Sequence, residues 1–284
     1  MEDLLSLMKS EYPALSPQFQ QGARYLLDHQ GEIATASMRK VALEAGVQPA
    51  TLVRLSQHLG FDGWNGLRQI YVDELRSGAQ PYAKRAKVVL KETRANQALV
   101  AMLDAQHRNL DNWLRSNADT LPKAVELLYK ARSVHVAAFR ACFPIAFTFH
   151  YVYRLFRPSV HLIRGDAGML EMELRGFGKG DTVFVTSFAP YSQEIIRVAT
   201  AARKGGANIL ALTDSAAAPI ALDADCVLLF SQESPSFFPS VTAGVAVAES
   251  LCQLLLVRTG GRAVRALEAT EGQLRDTGAY VPAR

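Results

Sequence analysis

Three short segments in the second half of the chain carry hydroxyl or guanidinium groups directly after runs of apolar residues, at 138–142, 187–192 and 213–215. Hydroxyls, guanidinium and free backbone N–H groups are the groups that bind phosphate or carboxylate oxygens in proteins. The sequence therefore predicts a site for a small anion. A fourth segment near residue 236 adds a hydroxyl to its rim or serves as a loop anchor. The candidate ligand-binding residues are Phe139, Arg140, Cys142, Ser187, Tyr191, Ser192, Thr213, Ser215 and Ser236.

A second group of polar side chains lies in the first sixty residues, in a segment with helical periodicity. Arg54 and Gln57 carry the donors that pair with guanine or adenine edges, and Ala50 is small enough to contact a thymine methyl group. Arg39 and Thr51 are placed for phosphate contacts, which fix register without reading sequence. The segment therefore predicts an interface with double-stranded DNA, with a solvated surface charge as the alternative role of Arg54. The candidate DNA-binding residues are Arg39, Gln48, Pro49, Ala50, Thr51, Arg54 and Gln57.

The elements that would position these DNA contacts are two helices joined by a tight corner. Ala42 is small enough for a helix crossing, and Gly46 permits the positive φ of the turn. Val47 plugs the corner, and Leu52 and Leu55 direct the second helix into the core. This spacing is typical of a helix-turn-helix, and an ordinary helical hairpin is the alternative. Helices are predicted near residues 37–45, 49–59 and 63–76, after a helix that Ser16 caps and Pro17 opens.

The elements that would position the anion site are short apolar strands alternating with helices. Near-continuous apolar strands of this kind indicate a parallel sheet covered on both faces. The predicted strands are Ser133–Ala138, Val160–Ile163, Thr182–Thr186, Asn208–Thr213 and Cys226–Phe230, with helices at 142–156, 192–204 and 240–258. The predicted fold class is thus an all-α helix-turn-helix domain followed by an α/β domain with a parallel sheet covered by helices on both faces.

A long helical stretch without glycine or proline, residues 83–115, separates the two parts. Its apolar positions keep near-heptad spacing, which is typical of a linker or a dimerising helix. Together with the apolar helix 240–258 it predicts a homodimer or homotetramer. The predicted divisions are 1–77 for the DNA-binding domain, 78–117 for the linker, 118–260 for the α/β effector-binding domain and 261–284 for the tail, with a break at Ser77–Pro81.

The composition limits the other functions. The formal net charge is +4, from 31 Lys and Arg against 27 Asp and Glu, so bulk charge does not by itself indicate nucleic-acid binding. Cys142, Cys226 and Cys252 lack metal-ligand spacing and are typical of buried thiols in a reducing compartment. No signal peptide and no stretch of ~18 uncharged apolar residues is recognisable. We expect no metal, no cofactor, no membrane partner and a cytoplasmic location.

The chain resembles the RpiR-type regulators. The resemblance lies in Val47-Gln-Pro-Ala-Thr-Leu-Val-Arg54 and Leu59-Gly-Phe-Asp-Gly-Trp64, supported by Leu15-Ser-Pro17 and Tyr25-Leu-Leu-Asp-His29. It extends over residues 1–260 and implies a C-terminal sugar-isomerase (SIS) domain that responds to phosphosugars. Gln48 departs from the family, which has a serine cap there. Because glutamine is a poor cap, the second helix of the motif is expected to start less rigidly.

The anion-binding loops also depart from the SIS pattern. Ala138 and Arg140 stand where the first family loop has glycines, and Cys142 stands at its serine. Ser187 and Ser192 fit the ends of the second loop, but alanine and proline replace its middle Ser-Gly. A phosphate therefore loses one hydroxyl and one N–H donor. Arg140 compensates in part, unless it pairs with an internal acid and the site is vestigial.

These features predict a DNA-binding transcription regulator, not an enzyme, whose α/β domain senses a small anionic metabolite such as a sugar phosphate or sugar acid. An SIS-type isomerase is the first alternative, but Glu194 and His150 form no recognisable acid–base arrangement. A regulator whose α/β domain only dimerises is the second alternative. The helix-turn-helix favours regulation over isomerisation because a minimal isomerase does not need it.

Overall fold

The chain folds into two compact units, residues 1–79 and 80–284. The computed structural model describes residues 2–29, 33–34, 36–77, 82–92 and 95–281. The predicted break at Ser77–Pro81 falls almost entirely outside these residues, as do the last three residues of the tail.

The first unit is helical. Its helices are α1 (Glu2–Glu11), α2 (Pro17–Asp28), α3 (Met38–Glu44), α4 (Pro49–His58) and α5 (Gly63–Ser77). Ser16 and Ser37 cap α2 and α3, because each side chain accepts a hydrogen bond from the backbone N–H three residues later. Gln48 precedes α4 without a side-chain cap bond, as its departure from the serine pattern predicts.

The corner between α3 and α4 has the geometry of a helix-turn-helix. Gly46 adopts φ +67°, and the Val47 N–H donates to the Ala42 carbonyl at 2.9 Å. Leu52 and Leu55 are fully buried beside Ala42, so burial of their apolar surface fixes which face of α4 points outward. That face determines which side chains are available to DNA.

We expect Gly46→Ala to destabilise the first unit by about 1 kcal/mol, because an alanine is strained at positive φ. The matched control is Gly66→Ala inside α5, where φ is not positive and the nearest atom to an added Cβ lies at 3.6 Å. That change should be neutral or stabilising. Chemical unfolding followed by Trp64 fluorescence in a Trp113→Phe background measures both. Equal stability of the two variants would contradict the turn assignment.

The second unit contains a five-stranded sheet in which every pairing is parallel, with order β2-β1-β3-β4-β5. The strands are β1 (Val134–Ala138), β2 (Val160–Ile163), β3 (Thr182–Ser187), β4 (Asn208–Thr213) and β5 (Cys226–Leu229). Their bounds agree with the predicted strands to within one residue. All their carboxyl ends meet at one edge, where the loops after β1, β3 and β4 lie.

Helices cover both faces of this sheet, which confirms the predicted fold class. One face is packed by α8 (Leu121–Lys130), α9 (Phe143–Arg154) and α12 (Thr242–Thr259), and the other by α10 (Leu170–Leu174) and α11 (Gln193–Gly205). A final helix, α13 (Gly261–Asp276), occupies much of the predicted tail. By length and composition α12 could cross a bilayer, and it is the single such helix among the described residues. Its buried positions, among them Val247 and Leu251, contribute to this core.

The stretch predicted as a linker contains α6 (Tyr82–Glu92) and α7 (Ala95–Asn117), and the connection between them lies outside the described residues. The carboxyl-terminal half of α7 is joined to the edge strand β5. Asn117 donates to the Leu229 carbonyl and accepts from the Leu229 N–H, both at 2.7 Å. Asn109 donates to the Glu233 carbonyl at 2.8 Å. This half of the predicted linker is therefore part of the α/β unit, while Leu99 and Leu103 remain exposed.

Candidate functional site

A cavity of about 470 Å³ opens at the carboxyl edge of the sheet. It lies over β1 and β3, where the strand order reverses and open parallel sheets bind their ligands. Its lining residues are Tyr82, Phe139, Arg140, Ala141, Cys142, Ser187, Phe188, Pro190, Tyr191, Ser192, Gln193 and Phe238. Six of the nine predicted ligand residues are among them. We call residues 139–142 the first loop and residues 187–192 the second loop.

The second loop runs from the end of β3 to the start of α11. Ser187 closes the strand and is nearly buried. Ser192 caps the helix, since its hydroxyl oxygen accepts from the Ile195 N–H at 3.3 Å. The first-turn N–H groups of α11 and the positive end of its dipole are therefore at the cavity. An anion placed there would be stabilised electrostatically.

Arg140 supplies a positive charge to the cavity lining. Its backbone adopts φ +54°, and its guanidinium lies 3.4 Å from the Glu194 carboxylate. The pKa of Glu194 is held below its usual range, first by its own backbone N–H and then by Arg140 and Ser192. The Arg140 side chain is 74% exposed, because the first loop projects it into solvent.

The Asp214 carboxylate holds the second loop in place through hydrogen bonds. It accepts hydrogen bonds from the Tyr191 hydroxyl at 2.9 Å, the Ala189 N–H at 3.2 Å and the Gln232 amide at 2.9 Å. Burial and this carboxylate raise the pKa of the Tyr191 hydroxyl. Asp214 is not among the predicted ligand residues. Its position directly after β4, in line with the other two loops, was the available signal.

Three of the predicted ligand residues do not line the cavity. Thr213 is fully buried, and its hydroxyl donates to Asp214 at 3.1 Å. The Ser215 hydroxyl accepts from the Ala217 N–H within a turn. The Ser236 carbonyl accepts from Arg85 at 2.9 Å, which holds the backbone of this segment in place. Six lining residues were not predicted, and three of them are aromatic: Tyr82, Phe188 and Phe238. Tyr82 lies in the predicted linker, and Phe188 and Phe238 lie in segments where only other residues were predicted to bind the ligand.

Cys142 lines the cavity but is 4% exposed. Burial raises the pKa of its thiol to about 12, so the group stays protonated near neutral pH. It therefore presents neither an anionic nucleophile nor a charge that would repel an anion. The other two cysteines are also buried and unpaired.

Six of the seven DNA-binding residues predicted in the first unit are at least partly exposed. Arg39, Gln48, Ala50, Arg54 and Gln57 are exposed, and Pro49 is half-buried. Thr51 is 7% exposed, so its assignment to a phosphate contact is wrong. Thr51 lies four residues before Leu55 on the buried face of α4, and helical spacing directs both inward.

Two family models match the chain. The model described as "Helix-turn-helix domain, rpiR family" matches residues 2–78, and the SIS domain model matches residues 127–257. The matched ranges contain the helix-turn-helix and the strands and loops of the cavity. They leave out α6, α7 and α13.

Known proteins resemble the chain over most of its length. The HTH-type transcriptional regulator HexR of Pseudomonas aeruginosa is 26% identical over 225 residues, covering 78% of this chain and 76% of its own. The sugar isomerase domain of an RpiR transcription factor from Sphaerobacter thermophilus has a TM-score of 0.59 at 22% identity, covering 62% of this chain and 98% of that one.

The Vibrio vulnificus NanR protein, solved in complex with ManNAc-6P, has a TM-score of 0.59 at 17% identity. The match covers 96% of this chain and 98% of that one. At these identities the two solved structures share the fold with this chain.

Proposed function

Because this chain belongs to the RpiR-type family of transcription regulators, with a helix-turn-helix followed by an SIS domain, we propose that a small anionic metabolite controls its binding to DNA. The metabolite occupies the cavity between the first and second loops. The helix-turn-helix binds a double-stranded operator. As a DNA-binding regulator the protein works in the cytoplasm.

The observation that carries this proposal is the cavity at the strand order reversal, with Arg140 and the start of α11 on its wall. A guanidinium pairs with two oxygens of a carboxylate or phosphate, and the first-turn N–H groups of a helix add neutral donors. The solved complex of NanR with ManNAc-6P supports a small anion as the occupant of an SIS fold.

The DNA contact rests on α4. Its exposed side chains, Ala50, Arg54 and Gln57, all belong to the helix that follows the turn. In helix-turn-helix proteins that helix enters the major groove. Two half-sites about one helical turn apart are expected, because exposed apolar side chains such as Leu99 on α7 and Val257 on α12 favour a homodimer or homotetramer.

An isomerase is the competing function for an SIS domain. Aldose–ketose isomerisation needs a base that moves a proton between two carbons. The described residues that line the cavity include no carboxylate and no imidazole. Glu194, behind the lining, has its pKa lowered and contacts Arg140, which makes it a weak base. These observations favour binding without turnover.

The proposal is tested with the full chain and a fluorescent operator selected from random DNA. A panel of sugar phosphates, sugar acids and aromatic acids is titrated, each beside a neutral analogue. At least one anion should shift the midpoint of DNA binding by about fivefold or more, and its neutral analogue should not. If the protein binds operator and no anion moves the midpoint, the sensing proposal fails. Turnover of a sugar phosphate by the same preparation would favour the isomerase.

A further inference from the structure

Aromatic side chains form much of the cavity wall. Five of the twelve lining residues are aromatic: Tyr82, Phe139, Phe188, Tyr191 and Phe238. They come from four separated segments of the chain, so this cluster of aromatic residues does not result from one apolar run of sequence. Aromatic walls bind flat apolar groups by burying area and by ring–ring contacts.

The outer part of this wall is held in place. The rings of Tyr82 and Phe238 lie 5.0 Å apart at 44°, within the range of favourable aromatic pairs. Arg85, on the same helix as Tyr82, donates to the carbonyls of Ser234 and Ser236 at 3.2 and 2.9 Å. These bonds join α6 to the segment that carries Phe238. The two rings are therefore positioned before any ligand arrives.

Most polar side chains of the lining are already hydrogen-bonded or buried, and Gln193 is an exposed exception among the described lining residues. The Tyr191 hydroxyl donates to Asp214, and the Ser192 hydroxyl oxygen accepts from Ile195. Ser187 and Cys142 are 5% and 4% exposed. A polyol placed against the aromatic part of this wall would lose hydrogen bonds to water that the rings do not replace, which is unfavourable.

The charge of the cavity lining also limits the charge that a ligand can carry. Arg140 is the single charged residue among the described lining residues, and Glu194 already lies 3.4 Å from it. A dianionic phosphate would meet one cation that is partly neutralised. A monocarboxylate matches that charge and the bidentate geometry of the guanidinium.

We infer that the ligand is an aromatic or heteroaromatic monocarboxylate, with its ring between Tyr82, Phe238 and the second loop and its carboxylate at Arg140. This inference rests on the proposed function, because it specifies the anion that the cavity binds. A cavity of about 470 Å³ accommodates a one- or two-ring acid.

Isothermal titration calorimetry on the full chain tests the inference with five probes. Phenylacetate and indole-3-acetate are the aromatic acids, glucuronate and glucose 6-phosphate are the polyol anions, and 2-phenylethanol is the neutral analogue. At least one aromatic acid should bind tenfold or more tightly than either polyol anion and than 2-phenylethanol. Tyr82→Ala and Phe238→Leu should each weaken its binding about tenfold, and Tyr82→Phe should retain it.

Phe147→Ala is the matched control, because Phe147 is an exposed aromatic residue on α9 outside the lining. It should bind the aromatic acid like the wild type. Tighter binding of a polyol anion that still depends on Arg140 would overturn the aromatic inference and leave the proposed function standing. Binding of the aromatic acid that survives Tyr82→Ala and Phe238→Leu would also overturn the inference. If no anion of either class binds, the inference and the proposed function both fail.

Discussion

Replacing Arg54 with alanine should weaken binding to the selected operator by about 1–3 kcal/mol. Arg54 is exposed on α4, whereas Leu52 and Leu55 on the opposite face are buried. Its guanidinium therefore points away from the core, where we expect it to reach the acceptors of a guanine edge. The stability of the first unit should not change, since the side chain contributes nothing to the core. Fluorescence anisotropy with operator and with scrambled DNA at one salt concentration measures the effect.

Arg24→Ala is the matched control for the loss of charge. Arg24 is exposed on α2, outside the turn and α4, and donates to the Tyr12 hydroxyl at 3.1 Å. Any general electrostatic contribution should fall by a similar amount in both variants on scrambled DNA. Only Arg54→Ala should lose the preference for operator. The base-reading assignment is wrong if Arg54→Ala retains that preference in full.

The helix-turn-helix could be predicted from the sequence because its constraints are local. Ala42, Gly46 and Leu52 lie within a dozen residues of one another. Each of these residue types satisfies one steric requirement of the corner. Thr51 was misassigned to a phosphate contact, although the same helical pattern predicts that its side chain is buried. Its spacing of four from Leu55 places it on the buried face, and that period outweighs the polarity of one small side chain.

The sheet could also be predicted from the sequence, because strands buried on both faces are near-continuous apolar runs. Parallel pairing then brought the loops after β1, β3 and β4 to one edge, which located the cavity. The part of the cavity wall that Tyr82 and Phe238 form could not be predicted in this way. Tyr82 and Phe238 are separated by more than 150 residues, and their contact depends on the hydrogen bonds that join α6 to the segment before α12. No local periodicity in the sequence predicts such a contact.

The role of α7 shows the same limit. Its near-heptad apolar positions predict a linker or dimer helix, and several of them are exposed. Asn109 and Asn117, which join it to the segment around β5, are buried polar residues whose partners lie more than 100 positions away. A buried amide with both hydrogen-bonding groups satisfied fixes a helix in place as firmly as an apolar contact does. The sequence shows the asparagines but not their partners.

Arg140→Ala should abolish the response to the effector while DNA binding without effector survives. Arg140 belongs to the cavity lining, and no second cation is present among the described lining residues to replace it. Loss of a charge-assisted bidentate contact typically costs a ligand tenfold or more in affinity. The measurement is operator anisotropy across an effector titration. The matched control is Arg197→Ala, an exposed arginine on α11 that pairs with Glu171 outside the cavity.

The remaining alternative is that Arg140 only pairs with Glu194, and two further variants separate the roles. Arg140 has a positive φ, so Arg140→Gly removes backbone strain and should leave the second unit equally stable or more stable by about 1 kcal/mol. It should still lose the effector response. Glu194→Gln removes the competing carboxylate and should strengthen binding of an anion several-fold. It should cost only ~0.3–1 kcal/mol of stability at the start of α11. If Arg140→Gly is destabilised and still responds at the wild-type effector concentration, Arg140 is a structural partner of Glu194 and the anion lies elsewhere.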